Sequence, residues 1–313
     1  MSIDKVRSYF KTFGMEERIL EFPVSSATVE LAAEALHTEG KRIAKTMSFK
    51  VGDGAMLILL AGDARVDNHK FKERFGTKAK MLTPEEVDEF IGHSIGGVCP
   101  FGIPENVPVY LDESLKRFYT VFPAAGSANS AIELNMEDLY KYSNASGWVD
   151  VGKDWDGRYE PKVTVCELPT DGLSDGEITL RLIRFRPADV KKGFVPAYDF
   201  DIIDNQTGGI AGKCDLRIGY CLGTYYGGNI GYTVFEPYRG RHYARNASRL
   251  LMELAKRHGM PYLIICCNED NAPSRTTLEH LDGTLIEIAD VPPYTESYRS
   301  GLRRSCVFRY ELT

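Results

Sequence analysis

The sequence predicts two domains, an α+β domain built on a barrel-like mixed sheet and a mixed α/β domain after it. The chain has 313 residues, which exceeds the usual size of one hydrophobic core. A stretch from 147 to 176 is rich in turn formers and breaks all periodicity. Short strands mix irregularly with helices before this stretch, whereas a strand, a tight loop, a helix and a strand follow it. Because no internal repeat relates the halves, we predict unrelated domains at 1–153 and 177–313, joined by a linker at 154–176.

Composition is typical of a globular protein, with 43% hydrophobic and 26% charged residues. No apolar run approaches the roughly 20 residues of a membrane-spanning helix, and the N-terminus lacks a signal-peptide pattern. We therefore predict a cytoplasmic protein with no membrane partner. The seven cysteines form no CxxC pair and have no metal-type spacing to histidine, so neither a disulfide framework nor a metal site is predicted.

In the first half, a helix and a strand come first. Ser25 or Ser26 is the predicted cap of a helix that ends at Gly40. Its apolar positions keep helical spacing at Val29, Ala32, Ala33 and Leu36. The strand at 42–49 alternates, with one face formed by Ile43, Lys45, Met47 and Phe49. The turn at 52–54 then makes a hairpin with the apolar run Met56 to Leu60, which suits a fully buried strand.

Further elements complete the first domain. Thr83, Pro84 and Glu86 form a capping box with proline in the first turn, which predicts a helix that reaches Ile91. Asn135 is the predicted cap of a last helix. The strands predicted between these helices are Val107 to Leu111, Thr120 to Pro123 and Ala131 to Leu134.

Lys45 is unusual because the strand places it on an apolar face. Apolar neighbours disfavour the charged ammonium. Either the stem lies along the sheet while the amine reaches water, or the amine sits in a pocket and holds a polar or anionic ligand. The residue alone leaves both readings open.

Two loops of small residues occur in the same domain. The segment 92–102, GHSIGGVCPFG, carries the adjacent Gly96 and Gly97, which leave the backbone accessible to a ligand, and Pro100 follows. The segment 124–130, AAGSANS, contains Gly126 and Ser127 between two strands. Each loop alone is also explained as a plain connector.

Five segments of the first half, in order, resemble the YbaK/EbsC family of aminoacyl-tRNA deacylases: EFPVSSATVELAA, RIAKTMSF, GHSIGGVCPFG, VYLDESL and PAAGSANSAIEL. The resemblance covers about residues 1 to 153 and implies a YbaK-like mixed β-barrel with surrounding helices. It implies that Lys45 is the functional lysine and that the family's Gly-x-x-Pro loop is Gly97 to Pro100. The family's substrate loop corresponds to the region around Gly126 and Ser127.

The resemblance implies hydrolysis of the ester between a wrongly attached amino acid and the tRNA 3′ end. Negative charge develops on the carbonyl oxygen when water attacks an ester, and an ammonium and backbone N–H groups stabilise it. We assign this role to Lys45 and backbone contacts to Gly96 and Gly97. His93 and Cys99 flank the loop, but no Ser/His/Asp or Cys/His constellation is apparent. The attacking water can instead be activated by the ribose hydroxyl of the tRNA.

A run of basic residues lies between the segments RIAKTMSF and GHSIGGVCPFG. The net charge of −6 argues against broad nonspecific nucleic-acid binding, and no DNA partner is predicted. A local patch can still serve a tRNA. The run from Lys70 to Lys80 holds five cations against Glu73 alone, and a solvated helix face explains it equally well.

The second half opens with strands at Ile178 to Phe185, Ile210 to Ile218 and Asn229 to Phe235. A helix with regular apolar spacing follows at Tyr243 to Arg257, and a buried strand at Tyr262 to Cys267. A second helix begins near Asn271 and Pro273, and the last strand is Cys306 to Leu312. A strand-to-helix turn of this kind points free backbone N–H groups at a phosphate, although an ordinary strand-to-helix connection explains the same arrangement.

The segment 232–244, YTVFEPYRGRHYA, and the later NEDNAPSRTTLEHLDG resemble the acetyl-CoA-binding core of the GNAT superfamily of N-acetyltransferases. The resemblance covers about 177 to 313 and implies a GNAT mixed α/β sheet with acetyl-CoA as cofactor. It implies that Val234 contacts the pantetheine and that Asn271 and Ser274 contact the cofactor arm. The residues implied to cradle the pyrophosphate are Arg239, Gly240, Arg241, His242, Tyr243 and Ala244.

Two positions depart from the GNAT pattern. His242 stands where the pyrophosphate loop has a glycine, which is tolerated only if the backbone there keeps an ordinary conformation. Leu278 replaces the tyrosine often used as general acid. Glu236 is the predicted base, with an exposed structural glutamate as the alternative. The other candidate acids are Tyr225, Tyr226 and Tyr232.

Three functions follow from the sequence. The first is a bifunctional enzyme that edits misacylated tRNA in its first domain and acetylates an amine in its second. The alternative is an acetyltransferase whose first domain only binds tRNA or an aminoacyl ligand. In the third, both halves sense ligands without turnover. The acetyl acceptor, the amino acid removed and the oligomeric state are not predicted.

Overall fold

The chain folds into two compact units, Met1–Glu160 and Pro161–Thr313. The computed structural model describes residues 2–312. The division between the units lies inside the segment 154–176 that we predicted as a linker. The two-domain mixed fold predicted from the sequence is confirmed, and each unit has its own sheet.

The first unit combines short helices with a mixed sheet. Its helices are α1 (Ser2–Lys11), α2 (Val29–Leu36), α3 (Asn68–Phe75), α4 (Pro84–Phe90) and α5 (Met136–Tyr142). Its strands are β1 (Ile19–Glu21), β2 (Ile43–Val51), β3 (Gly54–Ala61), β4 (Arg65–Val66), β5 (Val109–Asp112), β6 (Thr120–Pro123), β7 (Ser130–Ile132), β8 (Leu134–Asn135), β9 (Gly147–Val149) and β10 (Gly152–Lys153).

Six strands form the main sheet of this unit, in the order β8-β6-β2-β3-β5-β9. The β2–β3 hairpin is antiparallel, while β6 joins β2 and β5 joins β3 in parallel. From Met56 to Ala61, β3 is almost completely buried, which confirms the fully buried strand predicted from its uninterrupted apolar run. Lys45 therefore lies on a strand next to the centre of the sheet.

The boundaries of α2 differ from the prediction. Thr28, rather than Ser25 or Ser26, caps the helix, because its side chain accepts a hydrogen bond from the Leu31 N–H at 3.2 Å. The Ser26 N–H instead donates to the Ala128 carbonyl. The helix ends at His37, which takes the left-handed conformation at φ 50°. Gly40, the predicted end, belongs to the next 3-10 turn.

The other predicted caps are confirmed. Thr83 and Glu86 make the reciprocal bonds of a capping box at the start of α4. The Asn135 side chain accepts from the Asp138 N–H at 2.8 Å and begins α5. The sequence analysis missed α1, in which Val6 and Phe10 are fully buried.

The second unit is built on one seven-stranded sheet. Its strands are β11 (Ile178–Arg186), β12 (Ala197–Asp204), β13 (Ile210–Arg217), β14 (Ile230–Val234), β15 (Tyr262–Asn268), β16 (Thr284–Asp290) and β17 (Arg304–Glu311). Its helices are α6 (Leu222–Gly227), α7 (Tyr243–Arg257), α8 (Ala272–Glu279) and α9 (Glu296–Arg299). The strand order is β11-β12-β13-β14-β15-β17-β16.

The sheet of the second unit is antiparallel except where β14 meets β15. These two strands share one registered pair, Ile230 with Ile265, and then part. The long helix α7 packs against β11, β13 and β14 through an apolar stripe that includes Ala247, Leu251 and Leu254. The predicted bounds of α7 are confirmed, whereas β12 and β16 were missed.

Candidate active sites

A cavity of about 420 Å³ lies beside β2 in the first unit. Its walls come from β2, α2, the loop 92–102 and the segment that follows β6. Residues that line it include Thr28, Val29, Lys45, Thr46, Ser48, Met81, Leu82, Ile95, Gly96, Phe122, Ala124 and Ser130. Most of these walls are apolar, so Lys45 brings the main positive charge to an otherwise uncharged lining.

The cavity occupies a gap in the edge of β2. The registered pairing with β6 covers residues 43 and 44. The Leu82 N–H donates to the Ser48 carbonyl, and the Lys50 N–H donates to the Lys80 carbonyl. Thr46 lies between these paired stretches. Because backbone groups of alternate residues point to the same edge of a strand, the N–H and C=O of Thr46 face the gap.

The Lys45 ammonium is half-buried and held in place. Its Nζ donates a hydrogen bond to the Gly62 carbonyl oxygen at 3.0 Å. Burial lowers the pKa of Lys45, the nearby Asp63 raises it, Arg65 lowers it and Glu30 raises it. One N–H of the ammonium is used by Gly62, and two donors remain for a ligand.

A buried arginine supports the turn that carries Gly62 and Asp63. Arg117 is 2% exposed and donates to both carboxylate oxygens of Asp63, at 3.0 and 2.5 Å. It also donates to the Asp156 carbonyl and lies 4.8 Å from the Trp155 ring. Residues 155 and 156, which we predicted to be linker, therefore hold a group that fixes the position of the Lys45 partner.

The two loops of small residues pack against each other. A Cβ on Gly97 would lie 2.7 Å from the backbone of Ser127 and 2.8 Å from that of Gly126. The Gly97 N–H is already used, since it donates to the Ser94 carbonyl. Gly96 lines the cavity and has a φ of +87°. Gly96 thus borders the cavity, whereas Gly97 allows the close approach of the loops.

In the second unit, the turn after β14 leads into α7 without a side-chain cap. A short 3-10 turn at Glu236–Tyr238 is followed by Gly240, at φ +80°, and His242, at φ 61°. A Cβ on Gly240 would meet no atom within 4 Å. The N–H groups at the start of α7 therefore lie next to an open turn. Free N–H groups at the start of a helix can bind an anion.

The start of α8 lies close to β14. The Asn271 side chain accepts from the Ser274 N–H at 3.1 Å, and the Ser274 hydroxyl is 2.9 Å from the Tyr232 hydroxyl. Burial raises the pKa of Tyr232, so its phenol stays protonated at neutral pH. Tyr232 of β14 and Ser274 of α8 thus meet through their hydroxyls, a contact that the sequence analysis did not predict.

Comparison with known proteins gives matches for both units. Residues 24–142 match the family model of the aminoacyl-tRNA editing domain, and residues 157–284 match that of the GNAT acetyltransferase domain. YwhH of Bacillus subtilis (strain 168), described as uncharacterized, is 54% identical over 157 residues, which are 50% of this chain and 100% of YwhH. The chain belongs to the aminoacyl-tRNA editing family, and its second unit carries a GNAT domain.

Other relatives of the editing unit are known by name. The proline–tRNA ligase of Thermosipho melanesiensis is 31% identical over 137 residues, and the match covers 44% of this chain and 24% of the ligase. The chain thus spans about a quarter of the length of that ligase. A candidate trans-editing enzyme for prolyl tRNA synthetase, known from its crystal structure, has 32% sequence identity to this chain and a TM-score of 0.45. The match covers 49% of this chain and 97% of that enzyme's chain.

The structure brings together only some of the predicted residues of the editing unit. Lys45 and Gly96 line the cavity, whereas Gly97, Pro100, Gly126 and Ser127 are not among its lining residues. Pro100 and Gly126 are buried, and Ser127 hydrogen-bonds to Ser130. Sequence reasoning missed Thr46, Ser48 and Ser130 as lining residues. Strand alternation did not indicate Thr46 and Ser48, because their side chains lie on the face of β2 opposite Lys45. Both residues nevertheless border the gap in the edge of the strand.

His93 and Cys99 are core residues of the editing unit. Both are buried, and the Sγ of Cys99 lies 3.9 Å from His93 Nε2. Burial raises the pKa of Cys99 to about 12 and lowers that of His93. A thiol that stays protonated at neutral pH is a poor nucleophile. The structure thus brings His93 and Cys99 together in the core, a pairing that the sequence did not indicate, but neither residue lines the cavity.

The basic run of the editing unit forms the last turns of α3 and the loop after it. Lys70 donates to Asp150 at 2.7 Å and to the Gly152 carbonyl, so structural bonds already engage it. The exposed cations of the run are Lys72, Arg74, Lys78 and Lys80. Met81, which lines the cavity and is 55% exposed, follows Lys80 directly. The run therefore leads to the rim of the cavity.

The GNAT unit places its remaining predicted residues as follows. The Arg239 Nε donates to the Val234 carbonyl at 3.3 Å, and Arg241 pairs with Asp204 at 3.3 Å. Glu236 is exposed beyond the end of β14. Leu278 is fully buried. His242 corrects our expectation of an ordinary backbone, because its left-handed φ is the conformation that a glycine would take.

Between residues 2 and 312, no three His, Cys, Asp or Glu side chains are grouped so that they could hold a metal ion. In the same range, the helices are too short or too polar to cross a membrane.

Proposed function

We propose that the editing unit hydrolyses the ester of misacylated aminoacyl-tRNA and that the GNAT unit binds acetyl-CoA for N-acetyl transfer. The observation that carries the first activity is the half-buried Lys45 ammonium, fixed by Gly62, on the wall of an otherwise uncharged cavity. The expected partner is the 3′ end of an aminoacyl-tRNA.

The cavity supplies what ester hydrolysis needs from the protein. Its volume of about 420 Å³ suits a small aminoacyl group with part of the terminal ribose. As water attacks the carbonyl carbon, the C=O oxygen becomes negative and the C–O bond to the ribose then breaks. The free N–H groups of Lys45 and the edge N–H of Thr46 are donors for this oxygen. Gly96 lets the backbone approach the ligand.

The mouth of the cavity suits the tRNA end. Met81 and Ile95 both line the cavity and remain 55% and 63% exposed. Apolar side chains at such a rim can contact a base or a ribose, and the cations of the preceding basic run can neutralise nearby phosphates. We propose that this surface positions the acceptor end, while the cavity reads the amino acid.

The GNAT unit has the features that acetyl-CoA requires. The parting of β14 from β15 opens the backbone edge of β14 to an extended pantetheine arm. The turn from Arg239 to Ala244 directs the first N–H groups of α7 at a pyrophosphate. Asn271 and Ser274 lie beside the same opening. The residues present therefore fit the cofactor, which supplies the activated acetyl group.

Transfer requires a base for the amine and an acid for the departing thiolate. The amine nitrogen attacks the thioester carbonyl, a C–N bond forms, and the C–S bond breaks. Tyr232 is the proposed acid, because its protonated hydroxyl lies at the opening beside Ser274. Tyr225 donates to Glu287, and Tyr226 is 1% exposed, so neither presents a comparable hydroxyl. Glu236 stays our predicted base.

Two experiments test these activities separately. Release of labelled amino acid from a panel of misacylated tRNAs tests the editing unit, and no release from any tRNA would reduce it to a binding module. Calorimetric titration with acetyl-CoA tests the GNAT unit. Gly240→Leu should abolish binding, because the side chain would fill the phosphate turn. Gly301→Leu is the matched control, since Gly301 also has positive φ and open space.

A further inference from the structure

A groove of about 480 Å³ crosses β11 to β14 on the GNAT sheet. Its charged lining residues are Arg184, Asp199, Lys213 and Asp215. On β13, Lys213, Asp215 and Arg217 alternate with the buried Cys214 and Leu216, so the charged groups face away from the apolar side that α7 covers. Both signs of charge therefore meet on one open face of the sheet.

Asp215 occupies a particular place in this groove. It lies opposite Gly231 on β14 and opposite Asp199 on β12. A Cβ on Gly231 would come within 2.4 Å of the Asp215 Oδ1, so the carboxylate leans over the backbone of β14. Only glycine at position 231 leaves room for it there.

The carboxylate is also close to where the acetyl group is expected. Gly231 directly follows Ile230, the residue at which β14 and β15 part. Val234, next to the phosphate turn, is three residues further along the strand, or about 10 Å. A cofactor arm that runs along the free edge of β14 from the turn thus brings its thioester end to the neighbourhood of Gly231.

Asp215 has acceptor capacity that its neighbours do not use. Asp199 accepts from Arg184 at 2.6 Å and from Arg186 at 2.8 and 3.0 Å. The Asp215 Oδ2, in contrast, is buried and accepts no hydrogen bond in the described structure. The Arg217 guanidinium forms an ion pair with Asp215 Oδ2 through its NH2 at 3.0 Å, while its NH1 donates to the Gly227 and Gly228 carbonyls. Burial raises the pKa of Asp215, which favours proton uptake.

Lys213 provides the opposite charge. It is exposed, lies two residues from Asp215 on the same face, and makes no ion pair in the part of the chain that is described. Two residues of a strand span about 7 Å, and the lysine side chain can shorten that separation. The pair can therefore hold a ligand that carries an ammonium and a carboxylate close together.

We propose that the acetyl acceptor is a free α-amino acid, whose ammonium binds Asp215 and whose carboxylate binds Lys213. This inference rests on the proposed acetyl transfer and names its substrate class. In this arrangement Asp215, in place of Glu236, takes a proton from the ammonium, and the nitrogen then attacks the thioester carbon. A C–N bond forms, the C–S bond breaks, the thiolate takes a proton from Tyr232, and the second proton that the nitrogen loses returns to the Tyr232 phenolate. Hydrolysis of an aminoacyl ester is a class of reaction that would supply this acceptor.

The test measures thiol release from acetyl-CoA with a panel of L-amino acids and the corresponding amino acid amides. We expect acetylation of one or more amino acids and at least a tenfold higher KM for the amides. Asp215→Asn should lower kcat/KM by about 10²-fold or more. Lys213→Met should raise KM for the amino acid at least tenfold and leave KM for the amide unchanged. The matched control is Asp290→Asn, an exposed carboxylate on β16 of the same sheet that pairs with Arg304.

Acetyl-CoA affinity, measured by calorimetry on each variant, separates the two claims and checks folding. Unchanged affinity with lost transfer in Asp215→Asn supports the acceptor site. If the native protein binds acetyl-CoA but acetylates amides as well as amino acids, or if Asp215→Asn transfers normally, this inference is overturned and the proposed acetyl transfer stands. If the native protein does not bind acetyl-CoA, the proposed function fails as well.

Discussion

The Lys45 ammonium donates to the Gly62 carbonyl oxygen at 3.0 Å, and this bond joins a charged side chain of β2 to the turn after β3. The turn is fixed in its own right, since the adjacent Asp63 is bound by the buried Arg117. A catalytic cation gains most when its position is set before substrate arrives.

The first prediction concerns pH. In the proposed mechanism the protonated form of Lys45 stabilises negative charge. Burial lowers the pKa of Lys45, with Asp63 and Glu30 opposing and Arg65 reinforcing the shift. The charged form is present below this pKa and is lost as pH rises through it. The ratio of the native editing rate to the Lys45→Met rate should therefore fall as pH rises, and the fall should begin below the ordinary pKa of lysine. A ratio that stays constant up to pH 10.5 would contradict this role.

The second prediction concerns loop packing. Gly97→Ala should lower the rate of editing by about tenfold or more, because its Cβ would lie 2.7 Å from the Ser127 backbone and push the loops apart. Gly54→Ala is the control, since its nearest neighbour would be 3.8 Å away. Initial rates of amino acid release compare the two variants. Equal rates would show that the loop contact is not needed.

The third prediction concerns stability. Arg117→Met should destabilise the editing unit by about 3–5 kcal/mol, because it leaves Asp63 and the Asp156 carbonyl without their buried partner. Urea unfolding followed by tryptophan fluorescence measures this change, since Trp155 lies against Arg117. Arg158→Met is a suitable control, because that side chain is 88% exposed. A loss below about 1 kcal/mol for Arg117→Met would contradict the buried network.

The fourth prediction concerns the GNAT turn. His242→Gly should stabilise the protein by about 0.5–1 kcal/mol, because glycine adopts the left-handed conformation at φ 61° without steric cost. His242→Ala should bring no such gain, since alanine keeps the Cβ. Thermal unfolding compares the three proteins. If both variants shift the midpoint equally, the effect comes from the imidazole and not from the backbone.

The fifth prediction concerns Tyr232. Tyr232→Phe should lower acetyl transfer by about tenfold to a hundredfold while acetyl-CoA affinity stays within twofold, because only the hydroxyl at the opening is removed. Tyr225→Phe, which removes a hydroxyl bonded to Glu287, is the control. A parallel loss in both variants would point to packing rather than proton transfer.

Local patterns predicted the elements that carry the sites. Strand alternation placed Lys45, a capping box placed α4, and apolar spacing gave the bounds of α7. These signals are local, because each depends on residues within a few turns of one another. The sequence did not predict β16, because most of its residues are exposed and show no apolar alternation.

The rest of the candidate sites depends on long-range pairing. The gap in the edge of β2 exists because residues 43–44 pair with β6 and residues 48–50 pair with the segment 80–82. The residues of β2 alone do not determine either pairing. The bond from Arg117 to Asp63 joins residues 54 positions apart. Similarly, the left-handed backbone at His242 is set by the turn, and residue type alone favours the opposite expectation.

The most direct test of the central claim is the rate of amino acid release from the preferred misacylated tRNA by Lys45→Ala and Lys50→Ala. Both lysines lie on β2, but Lys50 pairs with Glu86 outside the cavity lining. We predict that Lys45→Ala loses about 10²-fold or more in rate, while Lys50→Ala remains near the native rate. Equal rates for the native protein and Lys45→Ala would contradict the assignment of the cavity as an editing site.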